Sequence, residues 1–170
     1  MCNFNVIGMK FIADGMLGKL ARWLRLAGHD VTYIGDFHVP ASQQDDDLLS
    51  RAKGEKRTLL TCDIDLHRRA RRAGVKSVFV ESSAVVDQLV DVSKRCGSKI
   101  SIQPENSRCP MCNGSLELAG KEEIKGAVPD NVLRAQSEFW RCTKCGKLYW
   151  KGKHWKTILE MASRYNMMVR

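Results

Sequence analysis

No stretch of this chain approaches the roughly 20 consecutive apolar residues that a membrane-crossing helix needs, which argues against a helical membrane protein. The opening residues, Met1 to Gly8, carry neither the basic cluster nor the long apolar segment of a secretory leader. A cytoplasmic location is therefore the expectation, with Met9 as a possible internal start. No Gly-x-Gly-x-x-Gly follows a strand-like segment, which removes dinucleotide binding. There is no internal repeat and no low-complexity tract.

What the chain does have is enough length for one core and a small appendage. Of its 170 residues 44% are hydrophobic and 28% charged, the balance of a packed, water-soluble fold. The net charge of +9 is unevenly spread. Residues 1–105 hold 16 basic against 13 acidic residues, a difference of +3; residues 106–170 hold 12 against 6, a difference of +6. From Arg141 to Arg170 there are eight basic residues and one acid, Glu160, a composition that suits a polyanion or, more plainly, a solvated surface.

Two apolar strand-like segments end on aspartate. Lys10 to Ala13 runs into Asp14, and Thr58 to Cys62 runs into Asp63 and Asp65. Around them strands alternate with helices: a helix over Met16 to Ala27 stopping at Gly28, a strand over Val31 to Ile34, and a loop over Gly35 to Gln44. A helix opened by Asp45, Asp46 and Asp47 follows, then a helix from Asp63 to Ala73, a strand over Val75 to Val80, and a helix over Ala84 to Cys96. This order predicts a parallel α/β sheet with right-handed crossovers. Both aspartate-tipped ends then share one edge, where like charges in a partly dry site repel unless a proton or a divalent cation neutralises them. Each acid also has a simpler use, because Asp14 and Asp63 are both placed to cap the helix that follows.

The second segment is marked by Cys109-x-x-Cys112 and Cys142-x-x-Cys145, with Gly114 and Gly146 close behind. Two such turns present four thiolates to one tetrahedral ion, so a structural zinc site is expected here, with no open position for catalysis. The 29 residues between Cys112 and Cys142 exceed the common spacing and predict an inserted loop or hairpin. A boundary near Cys96 and Gly97 divides the chain into 9–97, a linker over 98–107 with a possible short strand from Lys99 to Gln103, and 108–170 ending in a basic tail. Cys2, Cys62 and Cys96 read as plain thiols. Near the second knuckle aromatic and basic residues interleave: Tyr149, Trp150, Lys151, Lys153, His154 and Trp155. Rings that stack on bases beside cations that meet phosphate suit single-stranded nucleic acid, although the same rings could form the small core around the zinc.

The segment from Lys10 to Gly28, the stretch from Leu59 to Leu66, both cysteine knuckles and the ending from Tyr149 to Trp155 resemble the Mut-seven C-terminal RNase family, over nearly all of the chain from Met9 to about Ile158. The resemblance implies a PIN-like parallel sheet flanked by helices, followed by a small β-rich zinc ribbon, and a ribonuclease dependent on Mg2+ or Mn2+. By position, Asp14, Asp63 and Asp65 match the family's acids, and a further acid falls among Asp45, Asp46 and Asp47, with Asp45 or Asp47 the choices carried forward. Asp14, Asp47 and Asp63 are thus the expected Mg2+ or Mn2+ ligands, and the absence of histidine among them favours a hard cation. Cys62 stands where the family's motif has a basic residue. Lys19, Arg22 and Arg25 are candidates for positioning the RNA backbone, and so are Arg68, Arg69, Arg71 and Arg72. Further expected partners are the ribosome or an RNA-processing complex.

Other acid-bearing α/β enzymes fit less well. A toprim-like nuclease expects glutamate where Asp14 stands, and a haloacid-dehalogenase-type phosphatase expects a second acid where Met16 stands. The rival of a different class is a non-catalytic RNA-binding or ribosome-associated factor.

Overall fold

The computed structural model describes residues 8–97 and 99–169. Four short strands, β1 (Lys10–Ala13), β2 (Asp30–Tyr33), β3 (Thr58–Thr61) and β4 (Ser77–Phe79), form a parallel sheet in the order β2-β1-β3-β4. Side chains alternate across it as the period-two strand repeat requires. Phe11, Ala13 and Leu60 face one layer, built from α1 (Gly18–Leu26) and α4 (Val85–Cys96). Ile12 and Leu59 face the other, built from α2 (Gln44–Gly54) and α3 (Ile64–Arg72). Helices thus cover both faces, the arrangement expected when strands are buried on both sides.

The expected elements are present, most with bounds moved by one or two residues, and α2 begins earlier, at Gln44. The first helix opens with a 3-10 turn at Gly15–Leu17, and the long loop after β2 carries two further 3-10 turns, Ile34–Asp36 and Ala41–Gln43. The strand expected within Lys99 to Gln103 does not form; among the described residues that stretch leads only into a 3-10 turn at Pro104–Asn106.

The second unit is a three-stranded antiparallel sheet, β5 (Leu116–Leu118), β6 (Phe139–Cys142) and β7 (Leu148–Trp150), in that order. The long insertion between the knuckles is filled by a 3-10 turn at Glu122–Ile124 and by α5 (Asp130–Ala135), with Ile124, Val128 and Phe139 as its own small core. The segment expected as a basic tail forms α6 (Lys153–Met168) and returns to the first unit. Tyr165 joins the first unit's core, donates to Ser93 Oγ at 2.7 Å and accepts from the Ile100 amide at 2.9 Å. No described helix is long and apolar enough to cross a membrane.

Candidate functional site

The chain leaves β1 toward β2 on one side, while β3 lies on the other, so the strand order reverses between β1 and β3 although all strands stay parallel. Crevices at such a reversal, outside the carboxyl ends of the strands, are where open α/β sheets bind ligands. Asp14 and Asp63 follow those two strands. Asp14 is nearly buried, at 7% exposure, and its oxygens accept from the Met16 amide at 3.0 Å and the Cys62 amide at 2.9 Å. It therefore caps the turn after β1 and ties β1 to β3. The Cys62 thiol feels this position: burial first, then the Asp14 carboxylate, push its pKa up and keep it protonated.

Asp63 is exposed and caps α3, its Oδ1 accepting from the Asp65 amide at 2.7 Å and the Leu66 amide at 3.1 Å. The Thr61 hydroxyl accepts from the Asp63 amide at 2.9 Å and fixes the turn that presents it. Asp65 points into solvent beside Arg68, at 3.3 Å.

The three acids of α2 are paired with arginines. Arg69 of α3 reaches Asp45 at 3.0 Å and Asp46 at 2.5 Å, and Arg51, one helical turn on, holds Asp47 at 2.6 Å. Among the described residues the carboxylates therefore do not converge as a group of three or more; the group that does converge is the four cysteines. The expected cage of Asp14, Asp63 and an α2 acid is open here, because guanidinium groups already neutralise its third side. The two Arg69 pairs are largely exposed, and pairs of that kind contribute at most about 1 kcal/mol each, whereas the Arg51–Asp47 pair is half-buried. The donors at this edge are carboxylate oxygens without imidazole, the type that hard divalent cations take.

The cysteine site is assembled. The sulfur atoms of Cys109, Cys112, Cys142 and Cys145 all lie within 4.8 Å of one another, with Cys109–Cys145 at 3.7 Å and Cys112–Cys142 at 3.4 Å. A tetrahedron with metal–sulfur bonds of about 2.3 Å has edges of about 3.8 Å, so the spacing fits zinc. Burial opposes ionisation of Cys142, but the amides of Cys145 and Lys144, each 3.4 Å from its sulfur, outweigh it and bring the thiol down to about 7. Burial pushes Cys112 up to about 12 without metal, so zinc binding must expel its proton. Two small residues shape the first knuckle. Asn113, not the glycine beside it, takes the positive φ of 64°, while a Cβ at Gly114 would lie 2.8 Å from the Cys142 sulfur. In the second knuckle Gly146 takes the positive φ.

The aromatic and basic candidates divide. The Tyr149 hydroxyl lies 3.0 Å from the Cys109 sulfur, a partner of the metal site rather than a free ring. Trp150 is 36% exposed, Trp155 is half-buried, and together with Trp140 they line an apolar slot of about 70 Å3. Lys151 pairs with Glu138 at 2.8 Å, while Lys153 and His154 are exposed in the first turn of α6. On α1, Lys19 and Arg22 face solvent.

Arg25 corrects the sequence reading. It is 2% exposed, and its guanidinium is spent on the Val31 carbonyl, on Asp36 at 2.7 Å, and on the carbonyls of Pro110 and Met111 in the first knuckle. It is a strut between the two units, not a free cation for RNA. Asn113, which the sequence presents only as part of an Asn-Gly turn, completes the strut. Its Oδ1 accepts from the Val31 amide at 3.1 Å and its Nδ2 donates to Asp30 at 2.6 Å. The knuckle thus occupies the free edge of β2, a position that would otherwise leave strand groups unpaired.

The Mut7-C RNAse domain family model matches residues 9–162. No curated protein and no solved structure matches the chain. With the match running through both units and both knuckles, the chain belongs to the Mut7-C RNAse domain family.

Proposed function

We propose that this protein is a metal-dependent ribonuclease acting on single-stranded RNA, with a structural zinc ribbon that helps to hold the strand. The observation that carries the reading is the placement of Asp14 and Asp63 after adjacent strands at the sheet reversal, in a chain of the RNAse domain family. Bound there, Mg2+ or Mn2+ would lower the pKa of a water molecule and neutralise charge on the phosphate under attack. Asp14, fixed by two amides, supplies a rigid carboxylate; Asp63, on a helix start, supplies an exposed one. Asp45 or Asp47 would add a third only after exchange with its arginine, and Asp65 acts at most through water. Lys19 and Arg22 carry the phosphate backbone away from the acids, while Trp150, Trp155, Lys153 and His154 meet it on the ribbon side. Residues 9–97 form the catalytic layer and 108–170 the ribbon, joined by the 98–107 linker and by α6.

The test is cleavage of a labelled single-stranded RNA by zinc-loaded protein with Mn2+. Asparagine caps helices as well as aspartate, so Asp63→Asn removes charge and keeps the fold. Asp14→Asn is the harsher change, since its amide group must face two backbone N–H donors. The expected result is that Asp63→Asn binds RNA and cuts it at least about a hundred-fold more slowly. Equal cutting by this variant and the parent overturns the enzyme reading and leaves the non-catalytic RNA-binding factor.

A further inference from the structure

A cleft of about 320 Å3 opens between the end of β2 and the first zinc knuckle. Tyr33, Asp36 and Phe37 line one side, Met111 and Lys144 the other. The cleft adjoins the acidic edge, because the Tyr33 hydroxyl donates to the carbonyl of Gly15, the residue after Asp14, at 2.9 Å.

Three features of different chemistry meet there. Phe37 is 38% exposed, with the Arg51 guanidinium 4.4 Å from its ring centre, so the ring is held as a platform. Asp36 is anchored from below by the buried Arg25 through Oδ2, and among the described residues its Oδ1 accepts no hydrogen bond. Lys144 brings a cation from the second knuckle. A ring for stacking, a carboxylate that only accepts, and an ammonium for phosphate match the three parts of a nucleotide.

We propose that this cleft seats one unpaired nucleotide of the RNA strand, stacking its base on Phe37 and favouring bases that offer an amino group to Asp36. The inference rests on the ribonuclease reading and adds to it a base-selecting position built jointly by sheet and zinc knuckle. Adenine and cytosine carry the amino donor; uracil does not. The strut of Arg25 and Asn113 thereby gains a purpose, since it fixes both walls of the cleft to each other.

The experiment measures fluorescence anisotropy of labelled oligo-adenylate, oligo-cytidylate and oligo-uridylate on the full zinc-loaded chain with no other divalent cation. The parent is expected to bind adenylate and cytidylate several-fold more tightly than uridylate. Phe37→Ala is expected to weaken all three by roughly ten-fold, the scale of losing one stacked base, while Phe37→Trp retains binding. Asp36→Asn is expected to level the preference between bases. Phe37→Ala binding within two-fold of the parent overturns the proposal, as does an unchanged preference in a folded Asp36→Asn. If Asp36→Asn does not fold, the Phe37 pair decides alone. Failure of the parent to bind any of the three overturns the ribonuclease reading instead, so the two failures are distinguishable.

Discussion

The cysteine knuckles and the acidic sheet edge set the same physical problem, several anionic groups around one cation, and they solve it to different degrees. In the knuckles each turn delivers two sulfurs, backbone amides already point at Cys142, and the four donors converge within 4.8 Å. At the sheet edge the acids come from three separate elements, and the strands bring Asp14 and Asp63 to one edge while Arg51 of α2 and Arg69 of α3 hold the α2 acids. The fold brings the four sulfurs together, whereas among the described residues it gathers no group of three carboxylates. Local turns fix geometry cheaply, whereas donors spread over fifty residues meet only as well as the packing between them permits.

Removing zinc gives the largest effect on this contrast. Structural zinc sites hold on the order of 10 kcal/mol of folding free energy, so Cys109→Ser or chelation should unfold the ribbon. Because Arg25 and Asn113 join the knuckle to β2, the damage should spread, with faster amide exchange at Val31 measured by hydrogen exchange. Unchanged protection at Val31 would show the two units to be independent.

A smaller effect comes from pH. His29 precedes β2, is buried, and its Nδ1 accepts from the Met9 amide at 3.2 Å. Burial lowers its pKa from 6.5 to about 4. The unfolded chain takes up this proton near pH 6.5 and the folded chain only near 4, so the stability is whole above 6.5 and lost as pH falls toward 4. The total is about 3 kcal/mol. Denaturant titrations at fixed zinc should show this slope, and His29→Gln should flatten it.

The smallest effect tests the arginines. Arg69→Gln frees Asp45 and Asp46 from an exposed pair, which should tighten Mn2+ binding a few-fold, read by calorimetry, with little change in stability. Weaker binding would mean that Arg69 supports the site instead of competing for it.

Much of this was legible in the sequence, and the exceptions have identifiable causes. Apolar runs ending on Asp14 and Asp63 located β1 and β3, since buried parallel strands leave little other pattern. The cysteine spacing gave the four sulfurs that converge. The charge of Arg25 suggests an RNA contact, but it lies one turn after Ala21 on the buried face of α1, and charge alone does not announce a buried strut. The helix α6 was hidden by its basic start, yet Ile158, Met161, Ala162 and Tyr165 follow helical spacing and all turn inward at least in part. The pairing of Arg69 with Asp45 and Asp46 crosses two helices more than twenty residues apart, and no local pattern announces such a contact.

The most direct test is Mn2+ binding followed by electron paramagnetic resonance on the zinc-loaded chain, comparing the parent with Asp63→Asn. A hard-cation site at the β1–β3 reversal predicts bound Mn2+ in the parent and affinity at least about ten-fold weaker in the variant. Equal Mn2+ binding by both proteins would place the ion elsewhere and contradict the assignment of the acidic edge.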